Sequence, residues 1–152
     1  MKIKRIVLGS DHAGFKLKER LKIYLLKRGF YVKDVGTFSN ESCDYPEFAY
    51  LVAKDVSEGR YKRGILICKT GIGNSIVANR FKGVRAALCY NLKATQLSRE
   101  HNDSNILVLG ADFVSSNLAI RILNVWLNTP FLGGRHKRRL NKIKKIEDKI
   151  CT

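Results

Sequence analysis

The chain has 152 residues, enough for one domain that buries about two thirds of its unfolded surface without disulfide or metal staples. A hydrophobic content of 45% excludes a disordered chain, and no apolar run is long enough to span a bilayer. The formal net charge of +16 would suit a polyanionic partner. The sequence nevertheless lacks an RNA-recognition aromatic pair, zinc-finger spacing or a basic region joined to heptads, so a solvated basic surface is the plainer reading and no specific nucleic-acid partner is expected.

The opening Met1-Lys2-Ile3-Lys4-Arg5-Ile6-Val7-Leu8 reaches Gly9-Ser10-Asp11-His12 before a signal-type apolar core can form, so a cytoplasmic protein with no membrane partner is expected. Its first apolar run, 6–8, is a strand candidate, followed by helical periodicity over 15–28 and a second strand at 31–35. A helix over 47–58 leads to a third strand at 64–68 and a helix over 74–81. A strand at 84–90, a helix over 91–100, a strand at 105–109 and a helix over 117–127 complete the alternation. In the basic tail, Leu140, Ile143 and Ile146 recur at helical spacing and predict an amphipathic helix within 133–150. Strict strand–helix alternation predicts one α/β domain over 1–152: a five-stranded parallel sheet, doubly wound with helices on both faces. Ligands of such sheets bind beyond the carboxyl ends of the strands.

The most reactive feature is Gly64-Ile65-Leu66-Ile67-Cys68-Lys69-Thr70-Gly71-Ile72-Gly73-Asn74-Ser75, an apolar strand ending on a cysteine that enters a helix through a glycine-rich turn. Unpaired N–H groups and the positive helix end favour a thiolate there, and the same groups can hold a developing oxyanion. A small buried hydrophobe before an ordinary βα turn is the alternative for a lone cysteine. Cys43, Cys89 and Cys151 are widely spaced from it, form no CxxC or Cys/His ligand cluster, and are expected to be reduced.

Other chemically able residues fall near strand ends: Ser10-Asp11-His12 after the first strand and His101-Asn102-Asp103 just before the fifth. A cleft at the carboxyl ends is expected to collect them with Cys68, although Asp11 alone also reads as a helix N-cap and His12 alone as a structural histidine. Nucleotide motifs fail here. The glycine that should precede the lysine of a phosphate-binding loop is Cys68, and Gly71-Ile72-Gly73 lacks both the third glycine and the acidic ribose partner of a dinucleotide site.

These strings together carry a resemblance covering nearly the whole chain. Gly9-Ser10-Asp11-His12-Ala13-Gly14, Asp44-Tyr45-Pro46, Gly64 to Ser75, Gln96-Leu97-Ser98-Arg99-Glu100-His101-Asn102-Asp103 and Gly133-Gly134-Arg135-His136 make the chain resemble the sugar-phosphate isomerases of the ribose-5-phosphate isomerase B and galactose-6-phosphate isomerase type. The resemblance implies a three-layer Rossmann-like fold and a homodimer, extending to a tetramer in some arrangements, with active sites at the subunit interface. It also implies metal-free, cofactor-free interconversion of ribose 5-phosphate and ribulose 5-phosphate, a step of the pentose phosphate pathway. Six-carbon phosphates such as galactose 6-phosphate or allose 6-phosphate, or a lapsed relative that binds polyanions, are the alternatives.

By that resemblance Cys68 would be the base that moves a proton between C1 and C2, with Thr70 assisting proton movement between the sugar oxygens. His101 with Asp11 would open the furanose ring, and Asn102 together with the N–H groups of Gly71, Gly73, Asn74 and Ser75 would hold the enediolate. Tyr45 would line the sugar site, and His12, Arg135 and Arg139 would bind the phosphate. Two positions depart from the family pattern: Lys69 stands where glycine is common and Asp112 where arginine is common. A carboxylate in place of a phosphate-binding arginine repels the ligand unless it is neutralised, and Lys69 is expected to compensate by reaching the phosphate or pairing with Asp112.

Overall fold

The computed structural model describes residues 4–151, so Met1–Ile3 at the basic start and Thr152 lie outside the described residues. The strands are β1 (Arg5–Ser10), β2 (Tyr31–Asp34), β3 (Gly64–Cys68), β4 (Ala86–Leu88) and β5 (Ile106–Gly110). They form one sheet in the order β2-β1-β3-β5-β4, with every neighbouring pair parallel. The helices are α1 (Phe15–Lys27), α2 (Tyr45–Ser57), α3 (Ile72–Ala78), α4 (Leu92–Glu100), α5 (Ser116–Asn128) and α6 (Arg135–Ile150).

The central strands are continuous apolar runs because both faces of the sheet are covered. On β3, Ile65 and Ile67 enter one core with Leu107 and Leu109 of β5, while Leu66 enters the other with Ile106 and Val108. The first core packs under α1 and α5, around Leu21, Leu25, Ile122 and the fully buried Trp126. The second packs under α2, through Ala49, Val52, Ala53 and Val56. This is the expected doubly wound, three-layer arrangement.

Several polar groups inside the fold are paired, while Ser10 Oγ and the Asn74 side chain have no partner among the described residues. Trp126 donates from Nε1 to Ser104 Oγ at 2.9 Å, and Ser104 lies 2.9 Å from Ser98 Oγ. The ammonium of Lys18, wholly buried on α1, sits 2.5 Å from Asp34 at the end of β2, which also meets Lys22 at 2.9 Å. Burial works to raise the Asp34 carboxyl, but hydrogen bonds from Lys18, Lys22 and the Gly36 N–H hold it below the ordinary carboxylate value.

Several boundaries shift for local reasons. Helix α2 starts at Tyr45, two residues before the expected start, because Pro46 is well suited to a first turn. β4 shortens to Ala86–Leu88, since Val84 precedes the ladder and Cys89-Tyr90 leads out towards α4. α6 begins at Arg135 because Gly133 and Gly134 have φ of 70° and 56°, outside helical geometry. Its apolar stripe docks only in part: Ile143, Ile146 and Ile150 remain exposed.

Candidate functional site

Cys68 closes β3 at the carboxyl end of the sheet and is buried. Its strand reaches the helix α3 through a turn that only particular glycines permit. Gly71 has φ of 81°, and a Cβ there would collide with Leu88; a Cβ on Gly73 would strike the ring of Tyr45. The Tyr45 ring thus lies against the backbone of the turn that follows Cys68.

The N–H groups of the turn have divided roles. Gly71 donates to Cys68 Sγ at 3.2 Å, and the N–H groups of Asn74 and Thr70 also point to the sulfur. Ile72 donates to Thr70 Oγ1 at 3.2 Å, and Ser75 donates to the Gly71 carbonyl at 3.0 Å, closing the first turn of α3. The expectation that all of 71–75 face an enediolate therefore contracts. Gly71, Asn74 and Thr70 serve the sulfur, and the Ser75 N–H is committed to the helix.

The sulfur is also less acidic than its place before a helix suggested. Burial pushes the Cys68 thiol up and the nearby Asp11 carboxylate adds to this, outweighing the N–H donors from Asn74, Gly71 and Thr70. The expectation of a ready thiolate is corrected to a thiol in the isolated chain. The reason is local: the thiol is buried, and the charge acting on it is the Asp11 carboxylate.

Asp11 and His12 join Cys68 at this end. Asp11 is buried, accepts from the Gly14 N–H at 3.1 Å as a cap at the start of α1, and donates through its own N–H to the Ile67 carbonyl at 3.3 Å. His12 Nδ1 lies 3.1 Å from the Cys43 N–H and accepts from it. Asn74 is 1% exposed, and neither its Nδ2 nor its Oδ1 has a partner among the described residues. Lys69 Nζ stands 3.9 Å from Asp112 Oδ2, both side chains being largely exposed, and the Asp112 N–H donates to the Lys69 carbonyl at 3.0 Å.

His101 lies elsewhere. It follows α4 and precedes β5, and in a parallel sheet the chain enters every strand at the opposite end from Cys68. There it stacks on His136, ring centroids 4.2 Å apart and planes inclined by 11°. Leu132 donates to the Glu100 carbonyl at 3.1 Å, which holds the start of α6, with Arg135 and Arg139, beside His101 and Asn102. His136 is held below the ordinary histidine value by burial, by His101 and by the two arginines.

The model of the family described as Ribose/Galactose Isomerase matches residues 6–143. The chain belongs to this family. It is 46% identical over 147 residues to ribose-5-phosphate isomerase B of Escherichia coli, covering 97% of this chain and 99% of that one. The solved ribose-5-phosphate isomerase B of Clostridium thermocellum superposes with a TM-score of 0.94 at 50% identity, covering 96% and 99% of the two chains. The enzyme of Mycoplasma genitalium with bound ribulose 5-phosphate superposes with a TM-score of 0.91 at 40% identity, covering 95% and 96%.

Against this family background the two clusters of expected residues separate cleanly. Cys68, Thr70, Asp11, His12, Tyr45 and the 71–75 turn gather at the carboxyl end; His101, Asn102, Arg135 and Arg139 gather at the amino end. The expectation of a single cleft holding all of them in one chain is corrected. Between the clusters runs the length of a strand such as β5, five residues long, or about 16 Å, whereas the backbone of a five-carbon sugar with bonds of about 1.5 Å reaches roughly a third of that. His136, to which the sequence assigns no role, joins the amino-end cluster by stacking on His101; its place one residue after Arg135 at the start of α6 is the signal for it.

Proposed function

We propose that the chain is a ribose-5-phosphate isomerase, a single sugar-phosphate isomerase domain that interconverts D-ribose 5-phosphate and D-ribulose 5-phosphate through an enediolate. The observation that carries this reading is Cys68 at the carboxyl end of β3, under three N–H donors and beside Asp11, in a chain so similar to enzymes of that name. In the proposed reaction the Cys68 sulfur takes the proton from C2 of the open-chain aldose and returns one to C1. Thr70 Oγ moves a proton between the O1 and O2 positions, and the developing enediolate oxygen is met by the Gly73 N–H, the one donor of the turn not given to the sulfur, to Thr70 or to the helix, and by Asn102. A single such donor is typically worth about 3 kcal/mol in the transition state.

The site is completed by a second copy. His101, Asn102, Arg135 and Arg139 stand a strand length from Cys68 within one chain, so an isologous homodimer that sets the amino end of one protomer against the carboxyl end of the other joins both halves, twice. Such pairing also brings cationic groups to a thiol that burial otherwise holds protonated, lowering its pKa towards the working range. In the completed site His12, Arg135 and Arg139 hold the phosphate, His101 with Asp11 opens the ring, and Tyr45 lines the sugar. Among the described residues no helix is long and apolar enough to cross a membrane, and we place the enzyme in the cytoplasm, in the pentose phosphate pathway.

Complementation tests both parts of the reading. Cys68→Ala and His101→Ala homodimers should each be inactive on ribose 5-phosphate, and equimolar refolding of the two should restore about a quarter of wild-type turnover through the one intact site of each mixed dimer. No recovery, with mixed dimers demonstrated, would rule out the shared site. Higher kcat/KM on allose 6-phosphate or galactose 6-phosphate than on ribose 5-phosphate would move the substrate to six carbons.

A further inference from the structure

The net charge of +16 is not accounted for by a site that needs a few phosphate-binding arginines. Part of the excess converges on a hollow of about 490 Å³ at the amino end of the sheet, among the start of β1, the end of α1, the 59–63 turn and the end of α5. Its walls include Lys4, Arg5, Arg28, Arg60, Lys62 and Arg63, and no carboxylate lines it among the described residues. None of Cys68, His101, Arg135 or Arg139 lines it either.

Arg5, Arg28 and Arg63 are held by neutral groups, so their positions are fixed while their charge is not cancelled. Arg5 lies 4.6 Å over the Tyr61 ring and donates to its hydroxyl at 3.1 Å. Arg63 lies 4.8 Å over Trp126 and donates to that residue's carbonyl at 3.0 Å. Arg28 donates to the Tyr24 hydroxyl at 2.9 Å, and Lys4 sits 5.4 Å over Phe30. Of these cations Arg60 alone is ion-paired among the described residues, with Asp55 and Glu58. Burial, together with the nearby Arg99, lowers Arg63 to about 10 against the opposing pull of the Asp103 carboxylate, so the guanidinium is still charged at neutral pH. Preorganised, uncompensated guanidinium groups in a concave site are what adjacent phosphates need, since each fork donates two parallel hydrogen bonds to one phosphate. The hollow is of the size that takes a nucleotide-sized ligand.

We propose that this hollow is a second anion site, separate from the isomerase site, that binds a small ligand with a run of adjacent phosphates, as in a nucleoside triphosphate or inorganic tripolyphosphate. Calorimetric titration of the full-length protein with tripolyphosphate and with ATP tests it. Saturable binding at one ligand per chain is expected, weakened about tenfold or more by the double variant Arg5→Gln/Lys62→Gln, with kcat/KM on ribose 5-phosphate within about twofold of wild type. Equal affinity for the two ligands assigns recognition to the phosphates alone, and tighter ATP binding assigns a share to the aromatic walls. If the double variant fails to fold, the single Lys62→Glu, at an exposed position, carries the same expectation. Absence of saturable binding overturns the proposal. So does binding that survives these variants but is displaced by ribose 5-phosphate, which would place the ligand in the isomerase site. A short single-stranded RNA that displaces ATP while binding several chains per strand would equally overturn it, in favour of a diffuse polyanion surface.

Discussion

At the carboxyl end of the sheet, Cys68 is buried among strand ends, ringed by backbone N–H donors, with the Asp11 carboxylate as its nearest charge. At the amino end, His101 and His136 stack face to face beside Arg135 and Arg139. One end has a thiol and carboxylate with too little positive charge; the other has positive charge and two imidazoles but no buried thiol among the described residues. The difference shows how a parallel sheet divides labour. Every strand runs the same way, so residues placed before a strand and residues placed after it are kept a strand length apart, which is the reason for the proposed shared site.

The largest expected effect breaks the comparison at its reactive end. Cys68→Ala should lower turnover of ribose 5-phosphate by about 10²–10⁴-fold, the usual contribution of a positioned acid–base group, while circular dichroism and sugar-phosphate affinity stay near wild type. Substantial residual turnover would remove Cys68 from the role of base and return it to a packing residue.

Stability probes the same end differently. Asp34 ends β2 and receives the buried Lys18 and the partly solvated Lys22, so Asp34→Asn leaves both ammonium groups to Glu19, 2.7 Å from Lys18 and 3.5 Å from Lys22. A cost of about 2–3 kcal/mol is expected, below that of a wholly dry pair because water still reaches Lys22. The carboxyl is held below its unfolded value, so its contribution is present above the unfolded pKa of about 4 and is lost as pH falls through the folded value. Denaturant titrations should show wild type and variant converging in acid; a constant gap down to pH 2 would contradict the pairing.

The core and its layers were legible in the sequence because alternation of apolar runs with helical periodicity leaves few solutions once crossovers are right-handed. The reactive turn was legible too, since glycines at 71 and 73 stand where a Cβ would collide with Leu88 and Tyr45. What escaped was direction. His101 is close in sequence to β5, and nearness to a strand says nothing of which end until the strand's polarity is imposed. The Cys68 thiol was misjudged for a related reason: the helix end is visible in sequence, whereas burial and the approach of Asp11 are three-dimensional.

A pH profile sharpens the contrast between the two ends. In the proposed mechanism the base is the deprotonated sulfur, so kcat/KM should rise with pH until the free-enzyme Cys68 pKa is passed. In the isolated chain that value is pushed up by burial and Asp11; in an assembly the arginines of a second copy oppose the shift. Arg139→Ala should therefore move the rising limb to higher pH as well as weakening phosphate binding. A limb that stays in place while KM rises would confine Arg139 to the phosphate and leave the sulfur's environment to its own protomer.

The smallest expected effect concerns Lys69 and Asp112. Their side chains are 70% and 54% exposed and their charged atoms are 3.9 Å apart, so the pair contributes little to folding. Its consequence is electrostatic and falls on the ligand: Lys69 offsets a carboxylate at the mouth of a site that must admit a phosphate dianion. Lys69→Ala exposes that carboxylate and should raise KM about two- to fivefold with kcat nearly unchanged, the signature of lost ground-state binding. Adding Asp112→Ala should then restore most of the lost affinity, because removing both charges removes the repulsion. If KM is unchanged in Lys69→Ala, the pair is a solvated contact on a tolerant turn; if the double variant stays as weak as the single one, Lys69 binds the phosphate directly and Asp112 is a bystander.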